Sequence, residues 1–239
     1  MNEKEAGIGF MNPKITQAIL LAAGFGNRLK PLTEKTPKPL LPFRDGKIID
    51  AALQLLVAAN ISKTVVNLHY LGNQIQDYLE HKTNLPFEIL FSPEANILGT
   101  GGGIKQAASL LKSEPVLCLN SDIIIDIKIN TFIDWHFEHG FDSSMVLVPQ
   151  KPEWSFTPVD ADHDQLQSFG SGKYVYTGVQ IVGPKLLKLL PKAGTKSCLI
   201  RDGYQKAIDQ HIPVGAYIHH GFWSDLGTLA RYEEAQKKK

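Results

Sequence analysis

Short apolar runs and amphipathic stripes alternate along the first two thirds of the chain. Ile15 to Ala22 is an apolar run that ends in small residues. Residues 48–59 carry apolar positions at helical spacing, and the stretch from Lys63 to Leu68 is short and β-branched. Between Gly72 and His81, Ile75, Tyr78 and Leu79 fall at i, i+3 and i+4, the stripe of an amphipathic helix. Phe87 to Phe91, Gly103 to Leu111 and Pro115 to Asn120 repeat the order strand, helix, strand. Ile129 to His139 and Ser143 to Val148 predict one further helix and strand. This alternation predicts a Rossmann-like, doubly wound α/β fold, with a mostly parallel sheet and helices on both faces. In such a fold ligands sit outside the carboxyl ends of the strands.

After Pro149 the pattern changes. Residues 151–171 are polar and contain Pro152, Pro158 and Gly170, which predicts an excursion or hairpin over the sheet. The run Asp160-Ala161-Asp162-His163-Asp164 reads as a solvated loop and not as a metal site. Tyr174 to Val182 and Ile212 to Ile218 predict strands, Gly203 to Gln210 part of a helix, and a last helix starts near Thr228. Residues 1–14 lack this patterning and read as a loose extension; residues 15–239 read as one domain without internal repeats.

Composition narrows the function classes. Of 239 residues, 43% are hydrophobic and 21% charged, a globular balance that excludes disorder or coiled coil as a description of the chain. No apolar run reaches the ~18 residues of a membrane span, and the first fourteen residues lack the apolar centre of a secretion signal. Twenty-five Lys and Arg against 24 Asp and Glu leave a net charge of +1, which argues against nucleic acid as a partner. Cys118 and Cys198 are the two cysteines, and free thiols in a reducing cytoplasm are the simplest reading. The oligomeric state is left open.

The chemistry concentrates just after the first strand, in Leu21-Ala22-Ala23-Gly24-Phe25-Gly26-Asn27-Arg28-Leu29-Lys30-Pro31-Leu32-Thr33, followed by Thr36-Pro37-Lys38-Pro39-Leu40. Two glycines one residue apart let the backbone turn tightly and bring amide N–H groups against an anion. A dinucleotide fingerprint needs a third glycine where Leu29 stands, and a P-loop needs a Gly-Lys-Ser/Thr that neither this loop nor residues 99–105 supply. Arg28 and Lys38 beside the glycine turn suit a triphosphate attacked at its α-phosphorus, where charge grows on the phosphate oxygens and on leaving pyrophosphate.

From Leu21 through Pro39 the chain resembles the sugar-1-phosphate nucleotidylyltransferases, whose signature runs Leu-Ala-Ala/Gly-Gly-x-Gly-x-Arg-(Leu/Met)-x-Pro-Leu-Thr to Pro-Lys-Pro. The likeness continues through the Gly99 segment, the strand ending at Asp122, and Trp223-Ser224-Asp225-Leu226-Gly227-Thr228. The short length, with no C-terminal β-helix, and the segments Ser92-Pro93-Glu94 and Thr100 to Ile104 resemble the bacterial enzymes that transfer UMP to N-acetylmuramic acid 1-phosphate.

The resemblance implies a reaction of a nucleoside triphosphate with a sugar 1-phosphate, giving a nucleotide sugar and pyrophosphate. Arg28 and Lys38 are then catalytic. Leu21, Ala22, Ala23, Gly24, Gly26, Asn27, Asn67, Glu94, Gly99, Thr100 and Gly101 join them around the nucleotide. Bare backbone from Gly99 to Gly103 leaves room for a flat base. Glu94 accepts from its N3–H or N1–H edge, which suits uracil, thymine or guanine but not cytosine. Asp122 and Asp225, carboxylates on separate strands, suit Mg²⁺, a hard cation that shares its oxygen ligands with phosphate. Ser121 stands where the family usually has Gly. Asn120, Thr177 and Gly178 lie by the sugar, and Lys173 by its phosphate.

Guanylyl transfer to a mannose- or heptose-type 1-phosphate is the neighbouring reading. A catalytically silent nucleotide-binding module would lack Arg28, Lys38, Asp122 or Asp225, and all four are present. His211, His219 and His220 have no zinc spacing, and no Gly-x-Ser-x-Gly elbow supports a hydrolase.

Overall fold

A computed structural model describes residues 15–112 and 114–237, so the extension expected over residues 1–14 lies outside the described residues. The chain opens on β1 (Gln17–Leu21), passes two short 3₁₀ turns (Asn27–Leu29 and Lys38–Leu40) and the hairpin β2 (Pro42–Phe43) and β3 (Gly46–Lys47), and enters α1 (Ile48–Ala58). β4 (Lys63–Leu68), α2 (Gly72–Glu80), β5 (Glu88–Pro93), α3 (Gly99–Ala108) and β6 (Val116–Asn120) continue the alternation. β7 (Ile123–Ile125), α4 (Ile129–Glu138) and β8 (Ser143–Pro149) lead into the hairpin β9 (Val159–Asp162) and β10 (Gln165–Phe169). The last third holds β11 (Tyr174–Val182), α5 (Pro184–Leu189), a π-helical turn (Ile200–Tyr204) running into α6 (Gln205–Asp209), β12 (Val214–Ile218), β13 (Trp223–Asp225) and α7 (Leu229–Lys237).

Nine strands form one sheet in the order β5-β4-β1-β6-β11-β8-β12-β10-β9. From β5 to β6 it is parallel, because a helix carries the chain back before each new strand. β11 is reached through a hairpin instead, and it runs antiparallel to both β6 and β8. The sheet is therefore mixed, where alternation alone predicted a mostly parallel one. The β9–β10 hairpin does not lie over the sheet as expected. It extends the edge, with β10 pairing β12 and β9 pairing β10 and the start of β11.

Period-two alternation in the strands divides the core. Ala18, Leu20, Leu117 and Leu119 point to one face, where Ile49, Leu53 and Leu56 of α1, Ile75 and Leu79 of α2 and Phe132 of α4 pack. Ile19, Val116 and Cys118 point to the other, against Ile104 and Ala107 of α3, Leu186 of α5 and Tyr204 and Ala207 around α6. Each such fully buried Leu, Ile or Phe contributes about 1.5–3 kcal/mol. A smaller cluster of Leu29, Leu41, Phe43, Ile48, Ile124, Leu226 and Ala235 pins the loop after β1 to the β7–β13 ribbon and to α7. That cluster sets the relative position of the residues described next.

Candidate active site

Neighbouring parallel strands end level with one another. Leu21 is in register with Asn67 on one side and Asn120 on the other, and Asn67 with Ser92. A cavity of about 400 Å³ opens on this carboxyl edge. Leu21, Ala22, Ala23, Gly24, Gly26, Asn27, Arg28 and Lys38 line it, with Asn67, Gly99, Thr100, Asn120 and Asp122. The strand-end carboxylate and the glycine loop of the motif thus meet around one space. Pro39, Ile97, Ser121 and Gly227 also line it, and sequence reasoning had not placed them there. Gly227 belongs to the segment Trp223 to Thr228, but nothing in its neighbours says which way it faces.

The loop's conformation follows from three residues. Gly26 has φ +65°, the left-handed region, and a Cβ there would stand 3.0 Å from Thr33 Cγ2 and 3.1 Å from Lys38 Cβ. Gly24 borders open space, with no atom within 4 Å of where its Cβ would be. Leu29, at the position a dinucleotide loop gives to glycine, is buried and anchors the turn in the small cluster. The Thr33 hydroxyl donates to the Gly26 carbonyl at 2.9 Å and closes the loop. Ser121 is buried and its amide donates to the Leu21 carbonyl at 3.1 Å, so the strand edge is kept without the family's usual glycine.

Charge gathers at the end of β6. The buried Lys38 ammonium is ion-paired with Asp122. The amide of Leu226 donates to the Asp122 carbonyl at 2.9 Å, and Asp225 pairs with Ile123 across the β7–β13 ribbon. Asp122, in the turn between β6 and β7, and Asp225, on β13, are thereby held near one another. Burial pushes the Asp225 carboxyl above its ordinary range, Arg231 opposes this, and the Asp122 charge adds to it, with Lys38 and Arg28 opposing more weakly. Asp225 Oδ1 lies 2.7 Å from Arg231 Nε, yet the contact is not an aligned hydrogen bond, and Oδ1 is sealed from solvent. A Cβ on Gly227 would stand 2.7 Å from Asp225 Oδ2, 2.8 Å from Arg28 Nη2 and 3.0 Å from Arg231 Nη2.

Two carboxylates beside a phosphate-sized space suit a hard divalent cation. Among the described residues no group of three or more His, Cys, Asp or Glu side chains is arranged to hold a metal ion. A cation at Asp122 and Asp225 would draw its remaining ligands from substrate and water, as Mg²⁺ does. Asp225 itself does not line the first cavity; it lines a second one of about 200 Å³, with Lys151, Trp154, Phe156, Trp223 and Arg231 among others.

Several expected contacts stand elsewhere. Glu94 is outside the lining of the first cavity and only 5% exposed. Its Oε1 accepts from Asn67 Nδ2 at 2.7 Å and its Oε2 from the Leu98 amide at 2.7 Å. Asn67 in turn accepts from the Ala22 amide at 2.8 Å. Glu94 therefore holds the strand ends together, through bonds that sequence separation hides. The glycine run is the first turn of α3 and not a flexible approach to it. A Cβ on Gly101 would stand 2.8 Å from Ser197 Oγ, one on Gly102 2.4 Å from the Thr195 carbonyl oxygen, and one on Gly103 2.6 Å from Asn67 Nδ2. Protein, not a base, fills those spaces, and the Ser197 carbonyl accepts the Gly101 amide at 3.0 Å. Gly99 and Thr100 alone of this run border the cavity.

On the sugar side, the Thr177 hydroxyl donates to the Val146 carbonyl at 2.8 Å. Gly178 has φ +89°, and Asn120 Nδ2 lies 2.6 Å from where its Cβ would be, so this glycine makes room for Asn120. Lys173 Nζ lies over the Tyr174 ring at 5.5 Å and lines neither cavity.

The chain is similar to known proteins over most of its length. The family model described as nucleotidyl transferase matches residues 17–239. The chain is 33% identical over 226 residues to the N-acetylmuramate alpha-1-phosphate uridylyltransferase of Neisseria meningitidis, covering 92% of this chain and 96% of that one. It is 30% identical over 223 residues to the mannose-1-phosphate guanylyltransferase catalytic subunit beta of Drosophila pseudoobscura, covering 89% of this chain but 59% of that one. Among solved structures, HddC from Yersinia pseudotuberculosis, complexed with GMP-PN, has the same fold at TM-score 0.78 and 19% identity, with 93% and 99% of the two chains covered. UDP-glucose pyrophosphorylase, complexed with UDP-glucose, superposes at TM-score 0.80 and 17% identity over 93% and 97%. The chain belongs to the nucleotidyl transferase family, as the motif from Leu21 to Pro39 implied.

Proposed function

We propose that this chain transfers a nucleotidyl group from a nucleoside triphosphate to a sugar 1-phosphate and releases pyrophosphate, with UTP and N-acetylmuramic acid 1-phosphate as the pair. The observation that carries the reaction class is the meeting of the Gly24–Gly26 turn, Arg28 and Lys38 with Asp122 at one cavity, with Asp225 on β13, paired to the strand that follows Asp122. The choice of pair is supported by 33% identity to a uridylyltransferase of nearly the same length. Guanylyl transfer to a mannose- or heptose-type 1-phosphate is the second reading, supported by the 30% identity to a guanylyltransferase subunit. Free thiols at Cys118 and Cys198 suit a reducing cytoplasm, and no described helix is long and apolar enough to cross a membrane.

The nucleophile is the sugar's own phosphate oxygen, already ionised at neutral pH, so no protein side chain needs to form a covalent intermediate. Residues of the chain act by placement and by charge. The loop amides around Gly24 and Gly26 face the triphosphate, and Arg28 meets the charge that grows as pyrophosphate leaves. Lys38, paired with Asp122 before substrate arrives, turns its ammonium to the phosphates. Mg²⁺ held by Asp122 and Asp225 would supply further charge neutralisation at the same oxygens. Asn120, seated in the space above Gly178, is the residue we assign to the sugar, while the Thr177 hydroxyl is taken up by the Val146 carbonyl.

A grid of four nucleoside triphosphates against several sugar 1-phosphates, read by pyrophosphate release with Mg²⁺ present, tests the proposal. UTP with N-acetylmuramic acid 1-phosphate should give the highest kcat/KM. A lead for GTP with a mannose- or heptose-type phosphate would establish the second reading, and no pyrophosphate from any pair would defeat both.

A further inference from the structure

We infer that Arg231 is a positioning residue: it fixes the Asp225 carboxylate for the divalent cation and the phosphates, and an aromatic cluster fixes Arg231. The inference rests on the nucleotidyl-transfer reading and deepens it.

Arg231 sits in the first turn of α7, where the helix dipole disfavours a cation, so its own helix does not account for it. Its partners do. Nε is 2.7 Å from Asp225 Oδ1, and Nη2 is packed at Gly227, 3.0 Å from where a Cβ would stand. Both nitrogens are sealed from solvent and make no aligned hydrogen bond. The contact is therefore one of charge and packing. It restrains the carboxylate through Oδ1, while Oδ2 lies toward Gly227 and Arg28.

The far side of the guanidinium is held as firmly. Its Cζ lies 4.8 Å from the centre of the Phe156 ring. Phe156 packs on Trp223 at 5.2 Å, and Trp154 packs on Trp223 at 5.3 Å and on Phe156 at 5.8 Å. The Trp223 indole donates to the Thr177 carbonyl at 2.8 Å, which ties the cluster to β11. Trp223 and Asp225 are two residues apart on β13, so their side chains share one face of that strand. A packed path runs from Trp154 and Phe156 through Arg231 to Asp225, whose Oδ2 faces Gly227, where the Arg28 guanidinium also approaches. Loss of a partner that orients a metal-binding carboxylate typically weakens metal affinity by about 10-fold to 100-fold.

The test titrates Mn²⁺ into the full chain with UTP, and separately with GTP, and reads the water-proton relaxation that only protein-bound metal enhances. Arg231→Gln should weaken this binding by about 10-fold to 100-fold, and raise the Mg²⁺ concentration at half-maximal rate in proportion. Arg231→Lys should recover part of it. Phe156→Ala, which removes no charge, should shift binding in the same direction by a smaller factor. If Arg231→Gln loses its cooperative melt, Arg231→Lys and Phe156→Ala carry the test. Binding within about twofold of wild type in every folded variant would overturn the inference, because a merely structural ion pair would leave the metal untouched. No relaxation enhancement from the wild-type chain would overturn the metal assignment in the proposed function, and this inference with it.

Discussion

A methyl group at Gly102 would stand 2.4 Å from the Thr195 carbonyl oxygen and 2.9 Å from Leu98 Cβ. Neither atom can move cheaply, since one is backbone and the other starts the same helix. Gly102→Ala should lower stability by about 1–3 kcal/mol despite alanine's better helix propensity, read as a lower midpoint in urea. A midpoint at or above wild type would show that the segment 195–199 yields. The glycines were legible in the sequence, and so was the reading that something approaches them closely. What approaches was not legible, because Ser197 and Thr195 come from the far end of the chain. Glu94 teaches the same lesson. With both oxygens accepting, Glu94→Gln turns an amide N–H₂ toward the Leu98 amide or Asn67, and should cost about 1–3 kcal/mol in a denaturation curve. The ratio of UTP to CTP rates should stay as in wild type; a narrowed ratio would show that Glu94 meets the base after all. Asp225→Asn, by contrast, should keep the fold and cut the rate by about 10²-fold or more, as loss of an essential oriented charge does. Full activity at limiting Mg²⁺ would remove Asp225 from the site.

At the level of elements, helix α4 makes a claim about pH. His136 is buried on its inner side, with Nδ1 2.8 Å from Ser144 Oγ on β8 and Nε2 without a partner in the described structure. Burial holds its pKa down to about 4, with the Asp142 charge opposing. An unfolded histidine titrates near 6.5, so between about pH 6.5 and 4 the unfolded chain binds more protons and stability falls as pH falls. The loss approaches on the order of 3 kcal/mol at the bottom of that window. Urea midpoints at pH 7 and pH 4.5 should therefore draw closer together in His136→Gln than in wild type. Equal differences would mean that the native His136 takes up its proton as readily as the unfolded one. Elements such as β4 and α1 were read correctly because their periodicity runs for a full turn or strand. β7 and β13 have three residues each, too few for a period, and they appear only through their pairing. Yet this ribbon is what brings Asp225 beside Asp122.

The whole molecule places two cavities near the β7–β13 ribbon, one of about 400 Å³ with the glycine loop, Asp122 and Gly227, and one of about 200 Å³ with Asp225 and the aromatic cluster. A near-zero net charge gives no broad steering field, so recognition of anionic substrates rests on local cations such as Arg28 and Lys38. The parallel half of the sheet was legible from alternation. The mixed half was not, since strand direction depends on whether a helix or a hairpin joins two strands, and polar sequence alone does not decide that. Chelation by EDTA should abolish turnover and return of Mg²⁺ should restore it; turnover unaffected by EDTA would contradict the assignment of Asp122 and Asp225. The most direct test of nucleotidyl transfer is ³¹P NMR of the chain with UTP, N-acetylmuramic acid 1-phosphate and Mg²⁺. The account predicts that the sugar monophosphate signal falls while a UDP-sugar diphosphate and pyrophosphate rise in equal amounts. UMP or UDP accumulating with the sugar phosphate untouched, or a spectrum that does not change, would contradict it.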